Sequence, residues 1–198
     1  QYHYPENELA KEQARVRLAF DELLLLQMGV LARRRDWHDQ EVRPPIPTNQ
    51  QLLKDFQQLL PFKLTGDQEK TLDEILQDMA DERPMSRLLQ GEVGSGKTVV
   101  ATAASIMAAA NGYQVALMAP TEVLAEQHFP NIRNLLAGAT DSDHNDYKFT
   151  LNFADLEKPI TIGLLLGNFT QKRKGTIAEE LADCQIDIII GTHAIIQP

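Results

Sequence analysis

The chain has a single cysteine, Cys184, in 198 residues, so no internal disulfide can form and a reducing compartment fits. That thiol is expected in a core or on a helix. Long apolar runs are absent too. The nearest to the roughly 18–20 residues of a bilayer-spanning helix, residues 23–32, is interrupted by Gln27 and Gly29. No membrane span is therefore expected. The opening Gln-Tyr-His-Tyr-Pro has neither the basic start nor the apolar stretch of a secretory signal, and a chain beginning at Gln1 reads as excised from something longer. Positive charge is scarce: 19 Lys and Arg stand against 28 Asp and Glu, for a net charge of −9. This excludes a surface coated in phosphate-binding lysines but leaves room for a local basic channel.

What is present is centred on Gly91-Glu92-Val93-Gly94-Ser95-Gly96-Lys97-Thr98. Glycine, four residues, then Gly-Lys-Thr is the spacing of a phosphate loop, whose main-chain N–H groups wrap a triphosphate where side chains would obstruct them. Lys97 is suited to the β- and γ-phosphates, and the Thr98 hydroxyl to a Mg²⁺ ion. Residues 86–90 read as a strand leading in. Residues 99–110 are alanine-rich and helix-forming, so the loop falls at a helix N-terminus, where anions are favoured. ATP and Mg²⁺ are the expected ligands.

Upstream, Val16, Ala19, Phe20, Leu23, Leu26 and Val30 recur at helical spacing, predicting one long helix over 6–35 whose apolar stripe needs a partner. Arg33-Arg34-Arg35 suits its C-terminal dipole. Pro44-Pro45-Ile46-Pro47 must run extended and marks a linker, placing a helical arm at 1–47 and the main domain at 48–198. Thr48 or Asn49 is suited to cap a short helix through Leu60. A helix is predicted from about Asp67 to Ala80, with Thr65 as its cap. Phe62 offers a flat ring to adenine and Gln68 a bidentate amide to its edge, although an ordinary capped helix start would look the same.

After the loop helix, residues 114–120 read as a buried parallel strand running out into Pro120-Thr121-Glu122. The following helix is expected to kink or end at Pro130. Residues 137–159 form an acidic loop followed by an alternating stretch, 147–153, that suggests a small hairpin; the aspartates around His144 match no metal spacing. Residues 160–167 read as a strand, 176–182 as a helix and 186–190 as a strand that runs out into Gly191-Thr192-His193-Ala194. In an open α/β sheet such turns at strand carboxyl ends face the ligand crevice. Lys172-Arg173-Lys174 reads either as part of a basic groove or as a solvated turn.

The run from Phe62 to Gln68, the phosphate loop continuing into Val99-Val100-Ala101, the stretch Ala119-Pro120-Thr121-Glu122-Val123-Leu124-Ala125-Glu126-Gln127-His128, and Ile190-Gly191-Thr192-His193-Ala194 resemble the RecG family of superfamily 2 DNA helicases and branch-migration motors. Ala14-Arg15-Val16-Arg17-Leu18-Ala19-Phe20-Asp21-Glu22-Leu23 is similar to the helix before that family's motor domain. The resemblance implies a RecA-like α/β P-loop domain with a parallel sheet flanked by helices, incomplete here and interrupted at 137–159. It implies catalytic roles for Lys97 and Thr98, with Phe62, Gln68 and residues Gly91, Glu92, Val93, Gly94, Ser95 and Gly96 around the nucleotide. DNA contacts are implied at Pro120, Thr121, Glu122, Gly191, Thr192 and His193. The expected partners are branched DNA, as in stalled forks and Holliday junctions, together with a second motor domain and a wedge of the same protein, in the cytoplasm.

Two departures stand out. The family's Thr-Gly-Ser turn is replaced by Leu166-Gly167-Asn168, and the acidic Asp-Glu motif would follow Pro198, so this piece alone is expected to bind nucleotide and hydrolyse almost none. A transcription-repair coupling translocase shares the motor motifs, although the helix at 14–23 favours the first family. A non-motor nucleotide-binding module is the alternative from another class.

Overall fold

The computed structural model describes residues 4–38, 44–141 and 146–196. Asp143 and His144, the centre of the acidic loop, lie outside the described residues, as do the side chains of Arg34, Asp36, Trp37 and His38. The chain divides into two compact units, residues 1–43 and 44–198. Among its described residues the first holds one helix, α1 (Glu8–His38). Short-range ion pairs run along it, Lys11 with Glu8 at 2.9 Å and Arg17 with Asp21 at 3.3 Å. Its apolar side chains, among them Val16, Phe20, Leu23 and Leu26, are exposed.

The second unit begins with the proline run itself. Ile46 is buried, its N–H donates to Met79 O, and the Tyr113 hydroxyl donates to Pro44 O. The run is extended, as proline dictates, but it is packed rather than free. Three helices follow. In α2 (Gln50–Leu59), Asn49 Oδ1 accepts from the N–H groups of Gln51 and Leu52, and Leu52, Leu53 and Phe56 are buried. In α3 (Gly66–Met79), Leu72, Ile75, Leu76 and Met79 form the buried face at three- and four-residue steps. Alanines in α4 (Lys97–Ala110) keep the helix thin where Val99, Val100, Ala103, Ile106 and Met107 meet the core.

Among the described residues four strands form one sheet: β1 (Val115–Met118), β2 (Lys148–Leu151), β3 (Ile160–Leu165) and β4 (Ile188–Gly191), in the order β1-β4-β3-β2. β1, β4 and β3 run parallel, and β2 closes the edge antiparallel to β3. Successive side chains on a strand point to opposite faces, and β4 shows the consequence. Ile188 and Ile190 join the main core with residues of α4 and α5 (Glu122–Leu135), while Ile189 joins Ile177 of α6 (Gln171–Ala182) and Ile186 in a second cluster. Helices therefore cover both faces, giving the α/β architecture expected.

Four local expectations are corrected. Residues 86–90 form no strand among the described residues; they are held instead by Arg87, bonded to Glu74 at 2.7 Å and Asp78 at 2.8 Å on α3. Pro130 does not end α5, because Phe129 and Ile132 on either side of it are buried and keep the helix seated. The last helix starts at Gln171, not Thr176: Thr170 Oγ1 accepts from Arg173 N–H, so the Lys172-Arg173-Lys174 run is helical. Cys184 is neither core nor helix. It is exposed at φ 54°, a left-handed residue just past the end of α6.

Candidate nucleotide site and the strand-end turns

A tight loop at the start of a helix needs backbone that L-residues resist. Gly94 at φ 84° and Gly96 at φ 82° supply it, and α4 begins at the next residue, Lys97. The wall is thin by necessity: a Cβ on Gly91 would stand 2.6 Å from Ser95 Oγ, and one on Gly96 would stand 2.3 Å from Gln68 Nε2. Lys97 Nζ lies inside this curl, donating to Gly91 O at 2.8 Å, Glu92 O at 2.7 Å and Ser95 Oγ at 3.4 Å. All three partners are neutral. The ammonium charge thus remains available to an anion, at the positive end of a helix dipole.

Gln68 reaches the same loop from the start of α3. Its Oε1 accepts from Thr65 N–H at 2.9 Å while Gln68 N–H donates to Thr65 Oγ1, a capping box. Its Nε2 donates to Ser95 O at 2.9 Å. The glutamine therefore caps α3 and at the same time ties that cap to the phosphate loop. A cleft of about 440 Å³ lies between the two, lined by Thr65, Asp67, Gln68, Gln90, Lys97 and their neighbours. Asp67 and Thr71 line it without having been picked out from the sequence; their signal was their place beside Gln68 on the first turns of α3. Phe62 is about half exposed and lines a different hollow, with Lys54 and Lys63 near the end of α2. The structure brings Gln68, residues 91–96 and Lys97 together and does not bring Phe62 to the same cleft. Thr98 follows Lys97 in the first turn of α4, half-buried.

The fit of a nucleotide triphosphate with a divalent cation is chemically consistent with this donor set. A glycine-walled curl of main chain and an unneutralised ammonium suit phosphate, and the hydroxyl of Thr98 suits a hard cation that keeps most of its water. Among the described residues no cluster of three or more His, Cys, Asp and Glu could hold a metal by itself.

The second feature is set by strand register. Met118 of β1 and Leu165 of β3 are both level with Gly191 of β4, so three parallel strands finish in one row. The turns that follow, at 119–122, 191–193 and 166–168, leave the same end of the sheet. α4 runs back along the sheet into β1, which puts the phosphate loop at that end as well. Pro120, Thr121 and His193 are exposed, Glu122 and Thr192 half-buried, and Gly191 buried. Thr121 Oγ1 accepts from Leu124 N–H and so caps α5, and Ala119 N–H donates to Gly191 O at 2.7 Å, tying two of the turns. A Cβ on Gly191 would lie 2.3 Å from Leu165 O, so only glycine fits between the strands there.

A family model described as DEAD/DEAH box helicase matches residues 65–197. An ATP-dependent DNA helicase RecG from Synechocystis sp. is 41% identical over 197 residues, covering 100% of this chain and 21% of that protein. The protein of the same name from Streptococcus pneumoniae is 40% identical over 195 residues, covering 98% of this chain and 26% of that protein. That from Mycobacterium bovis is 38% identical over 195 residues, covering 98% and 25%. A solved structure described as RecG bound to a three-way DNA junction superposes with a TM-score of 0.73 at 37% identity, covering 98% of this chain and 24% of that one. The chain thus spans about a fifth to a quarter of the length of these relatives. Among the described residues no helix is long and apolar enough to cross a membrane.

Proposed function

This chain belongs to the DEAD/DEAH box helicase family, and from that premise we propose that it is the first motor domain, with its preceding helical arm, of an ATP-dependent DNA helicase of the RecG kind. The observation that carries this reading is the joint placement of the phosphate loop and three level strand ends on one end of the sheet. Fuel and track then share an edge, and a change at one reaches the other through short, rigid elements.

In this reading ATP, with Mg²⁺, supplies the phosphoryl-transfer free energy. The chain's own residues do the rest. Main-chain N–H groups of residues 91–96 and Lys97 hold the triphosphate, and Thr98 offers its hydroxyl to the cation. Gln68 exchanges its bond to Ser95 O for the adenine edge, so base recognition and loop shape are coupled through one amide. Thr121, Thr192 and the main chain of the three turns meet the sugar–phosphate backbone; Pro120, Glu122, Gly191 and His193 shape those turns. The substrates proposed are branched DNAs such as stalled forks and Holliday junctions, in the cytoplasm, with a second motor domain and a wedge supplied by the rest of the protein.

Equilibrium binding of fluorescent ATP and GTP analogues with Mg²⁺ tests the nucleotide half. Saturable ATP binding that Lys97→Ala reduces at least tenfold is expected. Gln68→Ala should erase discrimination against GTP; an equal loss for both nucleotides would make Gln68 a support of the loop and remove its base-reading role. Wild-type affinity in Lys97→Ala would overturn the site.

A further inference from the structure

Three consecutive cations, Lys172, Arg173 and Lys174, occupy the first turn of α6, where no acidic residue stands. The helix dipole disfavours positive charge there, so each cation needs another reason to be in place. Two of the three have one inside the fold. The Arg173 guanidinium lies 4.3 Å from the centroid of Phe169 and 4.7 Å from that of Tyr147, between the two rings. Lys174, half-buried, donates from Nζ to Gly167 O at 2.6 Å. Only Lys172 is exposed. The far end of α6 is tied to the edge strand by Lys148 Nζ, 2.5 Å from Glu180 Oε1.

Gly167 is also approached from the other direction. A Cβ there would come within 2.4 Å of Glu122 Oε1, the side chain of the first residue of α5. The turn at 166–168 is therefore gripped between a lysine from the helix after it and a carboxylate from the helix after β1. A carboxylate facing a phosphate backbone would repel it, whereas one packed on a glycine orders two turns against each other.

We propose that Lys174 is a positioning residue for nucleic acid: by holding the carbonyl of Gly167, whose bare Cα leaves room for Glu122, it presents the main chain of the turn and the exposed Asn168 side chain to the backbone, without itself contacting phosphate. This rests on the reading above that the strand-end turns face DNA. Asn168 then offers an amide donor in this turn, and Lys172 is the one member of the run that pairs with phosphate.

The test is DNA affinity against salt concentration in the intact polypeptide. A cation that pairs with phosphate contributes about 0.7–0.9 to the slope of log K against log[salt], whereas neutral N–H contacts release no counterion. Lys174→Met should weaken binding at least fivefold with the slope unchanged, and Lys174→Gln, a neutral donor, should recover most of that loss. Lys172→Ala should lower the slope by about 0.7–0.9. A slope reduced in both Lys174 variants would make Lys174 a phosphate contact and overturn the proposal, as would unchanged affinity in Lys174→Met. Asn168→Ala and Thr121→Val separate the levels. If both bind normally, the DNA-facing reading falls and takes the proposal with it; if both lose affinity while Lys174→Met does not, the proposal alone falls.

Discussion

Geometry calls for glycine at both Gly96 and Gly191, yet for different reasons and to different degrees. Gly96 sits at φ 82° and its missing Cβ makes room for Gln68 Nε2, the end of a flexible side chain. Gly96→Ala should therefore fold, displace Gln68 from Ser95 O, and weaken nucleotide binding, with a cost of about 1 kcal/mol from the left-handed backbone; calorimetric binding and a melting curve measure the two effects. At Gly191 the obstruction is a backbone oxygen, Leu165 O, that cannot swing away. Gly191→Ala should separate β3 from β4 and cost several times more than Gly96→Ala in the same unfolding experiment. The loop glycines were legible in the sequence because their spacing is itself the chemical requirement. The contacts of Lys174 and Glu122 with Gly167 were not, since they join residues 7 and 45 positions apart through a turn whose shape no local pattern encodes.

Capping and buried faces explain why most helices could be read ahead of the structure. Asn49, Thr65 and Thr121 each accept from backbone N–H groups two or three residues on, as their residue types demand. Where a reading failed, either a local cap was passed over or packing outweighed a local rule. Thr170 capped α6 five residues ahead of the expected start, since Gly175 within the segment made the helix look shorter than packing allows. Pro130 deprives α5 of one internal hydrogen bond, and burial of Phe129 and Ile132 compensates. Pro130→Ala should consequently stabilise the domain by about 1–3 kcal/mol in urea unfolding, the restored bond being partly offset by a freer unfolded chain. Segment 86–90 reads as a strand from its residues, but a strand also needs a neighbour, which no local pattern supplies. Its tether to α3 is electrostatic: the Arg87 guanidinium is held above its usual pKa, chiefly by the hydrogen bond to Asp78. Arg87→Met should speed amide exchange in residues 86–90 while leaving α4 protected.

A large cluster of buried side chains runs from Ile46 through Phe56, Met107 and Phe129 to Ile190, so proline run, helices and sheet of the unit at 44–198 share one main core, with the smaller cluster of Ile177, Ile186 and Ile189 on the other face of the sheet. Ile190→Ala, emptying a fully buried position in the central strand, should cost about 2–5 kcal/mol, and fluorescence and circular dichroism should still report one coincident transition. Separate transitions would show that the segments pack as independent layers. The α/β architecture was legible because its periodicities are local, whereas the packing of residues 44–47 onto α3 depends on distant partners. The solitary thiol has a practical use. Cys184 lines one hollow with Ala109, Ala110 and Gly112, at the end of α4 far from the phosphate loop, and the 14 residues of that helix span about 20 Å. A maleimide dye attached there would be a site-specific reporter within this chain. It would sit within energy-transfer range of a coloured nucleotide analogue and outside the cleft it monitors, so occupancy could be followed in real time without engineering a second cysteine into the domain.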